Sequence, residues 1–198
     1  MLTAFQDFLY SCAISFDLPV LDWIQANLQS DFMDMFMPFI TIFGDAGIFW
    51  MVWAGVLLLF RKTRKTGLGM FFAMILGLLV CNITLKPLVA RIRPYDLQAE
   101  LGVAIQLLCD LQHDFSFPSG HTIASFEAAV VLLKNSKKMG IPAMILAVLI
   151  SFSRMYLYVH YPTDVIVSIV LGILFAVIGN AIAQRIPLPT GKKGKYQR

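Results

Sequence analysis

The sequence predicts an all-α fold, a polytopic bundle of about six transmembrane helices. Three observations lead to this class. The 198 residues are 58% hydrophobic and 14% charged, whereas soluble domains are about 45–50% apolar and about 25% charged. Several apolar runs approach the ~20 residues that a spanning helix needs. Most basic residues gather between these runs rather than within them. We therefore expect one membrane-embedded domain over residues 1–198.

The region 1–45 has the least regular apolar pattern. Residues 4–28 alternate apolar and acidic groups, which is typical of an amphipathic helix in the membrane interface. Residues 32–43 are predicted as a first span that Pro38 interrupts. No basic residue precedes these segments and no small-residue cleavage site follows them, so we expect them to be retained in the mature protein.

Five further apolar segments are predicted to span the membrane: residues 46–60, 66–85, 121–135, 141–158 and 162–185. Two of them, 46–60 and 121–135, are short for a full crossing and are expected to extend into their flanks. The one long connection, residues 87–120, follows the third span. Connections of this length in compact proteins are often functional.

The basic residues indicate which side of the membrane each loop faces. Twelve of the sixteen Lys and Arg residues lie in three clusters, at residues 61–65, 134–138 and 185–198, which the predicted spans place on one side. By the positive-inside rule that side is cytoplasmic, and residues 187–198 are predicted as a basic cytoplasmic tail. The other four, at or near the exterior ends of helices, are Lys86, Arg91, Arg93 and Arg154. Because sorting disfavours cations there, we expect them to have a specific partner, and a phosphate is the natural one.

Other classes of protein fit this sequence poorly. The net charge of +4 does not indicate nucleic-acid binding, because the basic clusters follow the membrane topology. The three cysteines are scattered, without the spacing of a disulfide framework or a zinc site. We expect no metal and no cofactor.

Three segments with reactive side chains are predicted to meet at the exterior face: residues 86–94, 117–122 and 153–164. In the second, Ser119 and Gly120 form a turn before a helix N-terminus, whose free N–H groups and dipole attract anions. Lys86, Arg93 and Arg154 supply cationic donors that suit phosphate oxygens. Arg154 lies within an apolar helix, where an unpaired charge is costly and implies a function.

Two histidines at one anion site suggest a division of labour. One can attack phosphorus while the other protonates the leaving oxygen. His121 follows the glycine turn, and His160 lies just before the last predicted helix. Asp164, four residues after His160, is the expected carboxylate that would fix the tautomer of that imidazole.

Several other residues are secondary candidates. Glu127 lies in an apolar helix two turns below His121; it either supports the site or makes a helix–helix hydrogen bond. Tyr95 follows the first cationic segment and is placed at the entrance, while Ser153 precedes Arg154. Asp114 and its neighbour His113 either contact the substrate or belong to a solvated loop.

Together the three segments resemble the signature of the type 2 phosphatidic acid phosphatase family. The matching residues are Lys86-x6-Arg93-Pro94, then Pro118-Ser119-Gly120-His121, then Ser153-Arg154-x5-His160-x3-Asp164. That family includes lipid phosphate phosphatases, undecaprenyl pyrophosphate phosphatases, glucose-6-phosphatase and soluble vanadium haloperoxidases. The motifs span residues 86–164, and no motif position departs from the family pattern.

The resemblance implies a role for each motif residue. His160 would form a phospho-histidine supported by Asp164, and His121 would protonate the leaving group. The phosphate oxygens would be held by Lys86, Arg93, Ser119, Gly120 and Arg154. Members of the family are similar in needing no metal.

The resemblance further implies a lipid phosphatase of the cell membrane that acts on its extracytoplasmic face, with a cytoplasmic C-terminus. Undecaprenyl pyrophosphate is the first expected substrate, and phosphatidylglycerophosphate or phosphatidate the alternative. Membrane lipids are the expected partners, and nucleic acid is not. Two other classes remain: a haloperoxidase-like protein, marked by vanadate content and halide oxidation, and a non-catalytic lipid-phosphate transporter, which the intact histidines disfavour.

The charge pattern makes one testable prediction about topology. A single cysteine placed in the 61–67 loop should react with a membrane-impermeant thiol reagent only from the cytoplasmic side, because that loop carries one of the basic clusters. Labelling from outside intact cells would overturn the predicted orientation.

Overall fold

The computed structural model describes residues 2–187, and these residues form helices and no β-strand, which confirms the predicted all-α class. The helices are α1 (Leu2–Cys12), α2 (Leu18–Leu28), α3 (Asp31–Thr41), α4 (Ile48–Leu59), α5 (Arg64–Gly77), α6 (Lys86–Val89), α7 (Pro94–Glu100), α8 (Gly120–Asn135), α9 (Lys137–Tyr156) and α10 (Pro162–Arg185). Most of the predicted basic tail, from residue 188 onward, lies outside the described residues.

The N-terminal region forms one continuous helical rod over residues 2–28, because a π-helical segment, Ala13–Asp17, joins α1 to α2. One face is buried against the bundle through Leu9 and Leu21, while Phe8 and Trp23 on the other face are 60% and 57% exposed. The rod covers the predicted segment 4–28. Its location in the membrane interface remains a prediction.

The segment from α3 to α4 is a single stretch with a break in the middle. Ser30 caps α3 by accepting a hydrogen bond from the Met33 N–H at 3.3 Å. A 3₁₀ segment, Ile42–Gly47, then connects to α4, and inside it Ala46 and Gly47 take positive φ angles of 47° and 67°. Helical hydrogen bonding therefore stops and restarts at this point, which we call the α3–α4 break.

The predicted count of six spans is not confirmed. Among the described residues, four stretches are long and apolar enough to cross a membrane: Asp31–Leu59, Arg64–Glu100, Lys137–Tyr156 and Pro162–Arg185. The first contains both predicted spans 32–43 and 46–60. The predicted span 121–135 corresponds to α8, which has 16 residues and is shorter than the ~20 of a full crossing.

Small residues let the helices approach one another closely, as is common in membrane bundles. A Cβ atom added at Gly179 of α10 would lie 2.5 Å from the backbone nitrogen of Ala73 and 2.8 Å from the carbonyl oxygen of Gly69, both in α5. α8 packs against both helices, and its Ala128 and Ala129 are fully buried. Backbone contact between α5 and α10 therefore fixes the frame around α8.

The outer surface of the bundle is apolar. Val52, Ile145 and Val170 are 62%, 58% and 61% exposed. Contiguous apolar surface of this kind is rare on soluble monomers, so it agrees with a lipid-facing surface on α4, α9 and α10.

The contact between α5 and α10 gives a stability prediction. Replacing glycine by alanine inside a helix normally stabilises it by up to ~1 kcal/mol. Gly179→Ala should instead destabilise the protein by roughly 1–3 kcal/mol, because the new methyl group overlaps the α5 backbone. Gly55→Ala is the matched control, since a Cβ there meets nothing within 4 Å. Thermal unfolding in one detergent should show opposite shifts, and equal shifts would contradict the close approach.

Candidate active site

A cavity of about 500 Å³ brings the three sequence segments together. Its polar end is formed by Lys86, Arg93, His121, Arg154 and His160, and its apolar end by Met51, Phe71, Met74, Ile75 and Leu78. We call the end of the bundle that carries these polar residues the motif end. The apolar residues of α4 and α5 lie one or more helical turns away from the motif end. The cavity therefore extends from the motif end into the helical part of the bundle.

The first segment reaches the cavity because helical structure continues beyond residue 85, where the predicted span 66–85 was expected to end. Helix α5 continues through a π-helical segment, Leu78–Leu85, into α6, and it ends at Ala90 in the left-handed conformation. Pro94 then begins α7. The sharp turn between α6 and α7 places Lys86 and Arg93 on the same wall of the cavity.

Asp114 holds both of these cations. Its carboxylate accepts hydrogen bonds from Lys86 Nζ and from the Arg93 guanidinium, and its carbonyl oxygen accepts a third, from Arg93 Nε, at 2.8 Å. Burial alone would raise the pKa of Asp114, but the contact with Lys86, followed by that with Arg93, lowers it to about 2. The structure thus favours a role at the site for Asp114 over a solvated loop, and the carboxylate occupies part of the place expected for phosphate.

Arg154 carries donors without partners. Its side chain is 2% exposed and donates from one terminal nitrogen to Thr41 Oγ1 at 2.7 Å. Its Nε and its other terminal nitrogen have no hydrogen-bond partner among residues 2–187. Buried, unpaired guanidinium donors are strongly unfavourable. Since Arg154 lines the cavity, an anion bound there would supply the missing acceptors.

His160 lies in the short loop between α9 and α10. Its Nδ1 is 3.6 Å from Asp164 Oδ2 and 3.5 Å from Ser116 Oγ, while its Nε2 is 3.5 Å from a terminal nitrogen of Arg93. Burial, followed by the charges of Arg93 and Arg154, lowers the pKa of His160 well below its ordinary value. A neutral ring with its proton on Nδ1, toward Asp164, leaves the Nε2 lone pair on the cation side.

Asp164 is held by a network that sequence reasoning missed. Its Oδ2 accepts from Ser116 Oγ at 2.5 Å, and its Oδ1 accepts from Arg91. Arg91 also donates to Asp17 Oδ2 at 2.7 Å and lies 3.8 Å over the ring of Tyr161. Expecting phosphate as the partner of Arg91 was therefore wrong, because its guanidinium already bridges two buried carboxylates.

The glycine turn has a different internal arrangement from the one expected. Ser119 is fully buried; its N–H donates to Ser168 Oγ at 2.8 Å, and its own hydroxyl accepts from Thr122 Oγ1 at 3.1 Å. These bonds hold the turn in place. Gly120 lines the cavity. Direct binding of phosphate by Ser119 and Gly120 remains a prediction.

Only one of the three secondary candidates Ser153, Tyr95 and Glu127 lines the cavity. Ser153 Oγ donates to the Ile150 carbonyl oxygen at 2.6 Å within α9, and Tyr95 OH donates to the Gln112 carbonyl oxygen at 2.9 Å in the long loop. Glu127 does line the cavity, and its Oε1 has no hydrogen-bond partner in the described part of the chain. The missing side chain of Gly77 makes room for that carboxyl group.

Some site residues gave no usable signal in the sequence. Asp17 resembled the other acids of residues 4–28, which alternate with apolar residues, and Asp45 lay between two predicted spans. Asp45 lies in the α3–α4 break and contacts His121 Nε2 at 2.7 Å. Ser116, one residue before the second segment, lay outside the motif. Within residues 2–187, no group of three or more His, Cys, Asp or Glu side chains is arranged to hold a metal.

Comparison with known proteins finds similar sequences over most of the chain. The sequence profile of the PAP2 superfamily matches residues 66–187, more than half of the chain. The undecaprenyl-diphosphatase of Sulfolobus acidocaldarius is 32% identical over 160 residues, covering 80% of this chain and 74% of that protein. Undecaprenyl-diphosphatase BcrC of Bacillus subtilis is 31% identical over 152 residues, covering 72% and 73%.

The fold is also shared with a solved structure. The crystal structure of a transmembrane PAP2-type phosphatidylglycerolphosphate phosphatase from Bacillus subtilis matches with a TM-score of 0.68 and 26% identity. The match covers 94% of this chain and 96% of that chain. The helical architecture is therefore common to nearly the whole length of both proteins.

The position of Asp114 predicts a change in anion affinity. Asp114→Asn should lower the inhibition constant of inorganic phosphate by roughly tenfold, because a carboxylate that competes for Lys86 and Arg93 is removed. With a pKa of about 2, Asp114 stays ionised across pH ~5–8, so the ratio of the two inhibition constants should not change over that range. Asp110→Asn removes an exposed carboxylate from the same loop as a control. Weaker phosphate binding in Asp114→Asn would contradict the competition.

Proposed function

Because the chain belongs to the PAP2 superfamily and is a multi-pass membrane protein, we propose that it removes a terminal phosphate from a membrane lipid through a phospho-histidine at His160. One observation carries this proposal. His160 Nε2 lies beside the Arg93 guanidinium, while its Nδ1 faces the buried carboxylate of Asp164.

The first half of the reaction forms the covalent intermediate. The neutral Nε2 of His160 attacks phosphorus, and the bond between phosphorus and the leaving oxygen breaks with its electron pair on that oxygen. His121 delivers the proton that the leaving oxygen takes up. Asp164 stabilises the charge that develops on the His160 ring.

The cations stabilise the transferring phosphoryl group. Lys86, Arg93 and Arg154 all line the cavity, and Arg154 keeps two donor nitrogens without a partner in the described part of the chain. Phosphoryl transfer depends on such positioned charge more than on covalent assistance. In the second half, water gives a proton to His121 and attacks phosphorus, which frees phosphate and restores both histidines. The proposed chemistry uses no metal or other cofactor.

The proposed substrate is undecaprenyl pyrophosphate. Two relatives of this chain carry the name undecaprenyl-diphosphatase, and the apolar end of the cavity suits a hydrocarbon tail. Phosphatidylglycerophosphate or phosphatidate is the second candidate, because the crystal structure that matches nearly the whole chain is a phosphatidylglycerolphosphate phosphatase. All of these lipids end in a phosphate that this site could bind.

We place the motif end at the extracytoplasmic face of the cell membrane and the C-terminus in the cytoplasm. The basic residues 61–65 and 134–138 lie between helices at the opposite end, as the positive-inside rule requires of cytoplasmic loops. The stretch Asp31–Leu59 runs from one end to the other: Tyr156, at the motif end of α9, donates to Asp34, and Leu59 directly precedes the first basic cluster.

A substrate panel with matched histidine variants tests this function. Phosphate release is measured in detergent with EDTA present, from undecaprenyl pyrophosphate, phosphatidylglycerophosphate, phosphatidate and a soluble sugar phosphate. His160→Ala should lower turnover by at least ~10³-fold without unfolding the protein, because no other group can take over as nucleophile. His113→Ala replaces the exposed third histidine and should keep full activity. Retained turnover in His160→Ala would overturn the nucleophile assignment, and preference for the sugar phosphate would overturn the lipid substrate.

A further inference from the structure

The α3–α4 break places irregular backbone inside a stretch that is long enough to cross the membrane. Ala46 has a φ of 47°, a conformation that costs a non-glycine residue about 1 kcal/mol or more. Irregular backbone at membrane depth is tolerated where it lines a cavity. Here Asp45, Ala46 and Gly47 all line the cavity that holds His121. The break therefore faces the active site directly.

The break fixes the His121 ring from two directions. Asp45 Oδ1 lies 2.7 Å from His121 Nε2. Gly44 packs against the ring, since a Cβ atom added there would lie 2.7 Å from His121 Cδ2. One residue thus supplies a polar contact and its neighbour the space for the ring, so the orientation of the imidazole depends on this segment.

Asp45 also supplies the negative charge next to this histidine. Burial and the nearby cations Arg154 and Lys86 disfavour a protonated His121 ring, and Asp45 opposes them. The Asp45 side chain is 57% exposed, so it does not fill space in the core. An exposed carboxylate in contact with a histidine has an electrostatic role rather than a packing role.

We propose that Asp45 is the positioning residue of the leaving-group acid. Its carboxylate accepts the Nε2 proton of His121, which leaves Nδ1 to carry the proton for transfer. When the bond to the leaving oxygen breaks, that oxygen takes the proton from Nδ1, and His121 becomes neutral with its Nε2–H still donating to Asp45. This pairing rests on the proposed function, and it gives the acid an orienting carboxylate of its own, as Asp164 is for His160.

Because Asp45 acts through the acid His121, its contribution to the rate depends on the leaving group. An alkoxide is a poor leaving group and needs its proton during bond cleavage, whereas a phenolate, from a group with a pKa of about 10, needs it much less. Acid catalysis of this kind is worth about 10²–10⁴-fold. Loss of Asp45 should therefore slow the release of alcohols far more than the release of phenols.

Octyl phosphate and 4-octylphenyl phosphate, which share an octyl chain and differ in the leaving oxygen, test this directly. For Asp45→Asn we expect kcat/KM on octyl phosphate to fall at least ~10-fold and on the aryl ester less than ~3-fold, because only the first needs the acid. His121→Ala should show the same selectivity in stronger form. Asp110→Asn, which removes another exposed carboxylate at the motif end, should leave both values unchanged.

Each alternative result overturns the proposal. Equal loss on both esters would mean that Asp45 only supports the structure, and no loss on either would mean that His121 works without it. If the wild-type protein hydrolyses neither ester nor any lipid of the panel, the proposed function itself fails.

An NMR measurement that needs no turnover tests the Asp45–His121 pair in that case too. The chain has three histidines, so ring-¹⁵N labelling gives three sets of signals, assigned with His113→Ala and His121→Ala. In the wild-type protein, His121 Nε2 should carry a proton at neutral pH, and Asp45→Ala should abolish that preference. A wild-type His121 with an unprotonated Nε2 would refute the pairing.

Discussion

The structure of the site depends on the guanidinium of Arg91 between two buried carboxylates. Arg91 contacts Asp17 from the N-terminal rod and Asp164 from the first turn of α10. Burial of such charges is favourable only when each is paired, and removal of one partner typically costs about 3–5 kcal/mol. This interaction therefore holds three distant parts of the chain in one arrangement. Because the Arg91 interaction fixes the position of Asp164, it also fixes the orientation of His160.

The site uses positive charge in two different ways. Both terminal nitrogens of Arg91 donate to buried carboxylates, and the residue works as a structural connector. Arg154 keeps two of its donor nitrogens unpaired within the described chain and faces the cavity. The difference lies in the surroundings, since Arg91 meets two carboxylates, while the hydrogen-bond partner of Arg154 is the hydroxyl of Thr41. A cation without a buried counter-charge is the one available to a ligand.

Much of the site could be predicted from the sequence because each motif lies at a helix end. Once the spans and their basic clusters were assigned, Lys86, His121 and His160 had to come to one face. The role of Arg91 could not be predicted in this way, because its partner Asp17 lies 74 residues away along the chain. A carboxylate in an apolar rod gives no sign of which cation it will meet.

The α3–α4 break escaped prediction for a related reason. Two apolar runs separated by Gly44 and Gly47 suggest two spans, whereas the structure continues one stretch through an irregular turn. Hydropathy measures how apolar a run is and contains no information about chain direction after a glycine. The contact between Asp45 and His121 depends on that direction, so it became visible only with the fold.

The bridge from Asp114 to Lys86 and Arg93 means that the resting protein carries its own anion. A group tethered on the same chain acts at an effective concentration in the millimolar range or above. Any small anion from solution must compete against that concentration with its charge alone. A lipid phosphate is already concentrated in the bilayer, because burial of its tail there is worth roughly 0.8 kcal/mol per methylene group. Lipid phosphates in the membrane therefore displace the Asp114 carboxylate from Lys86 and Arg93 more easily than free anions do.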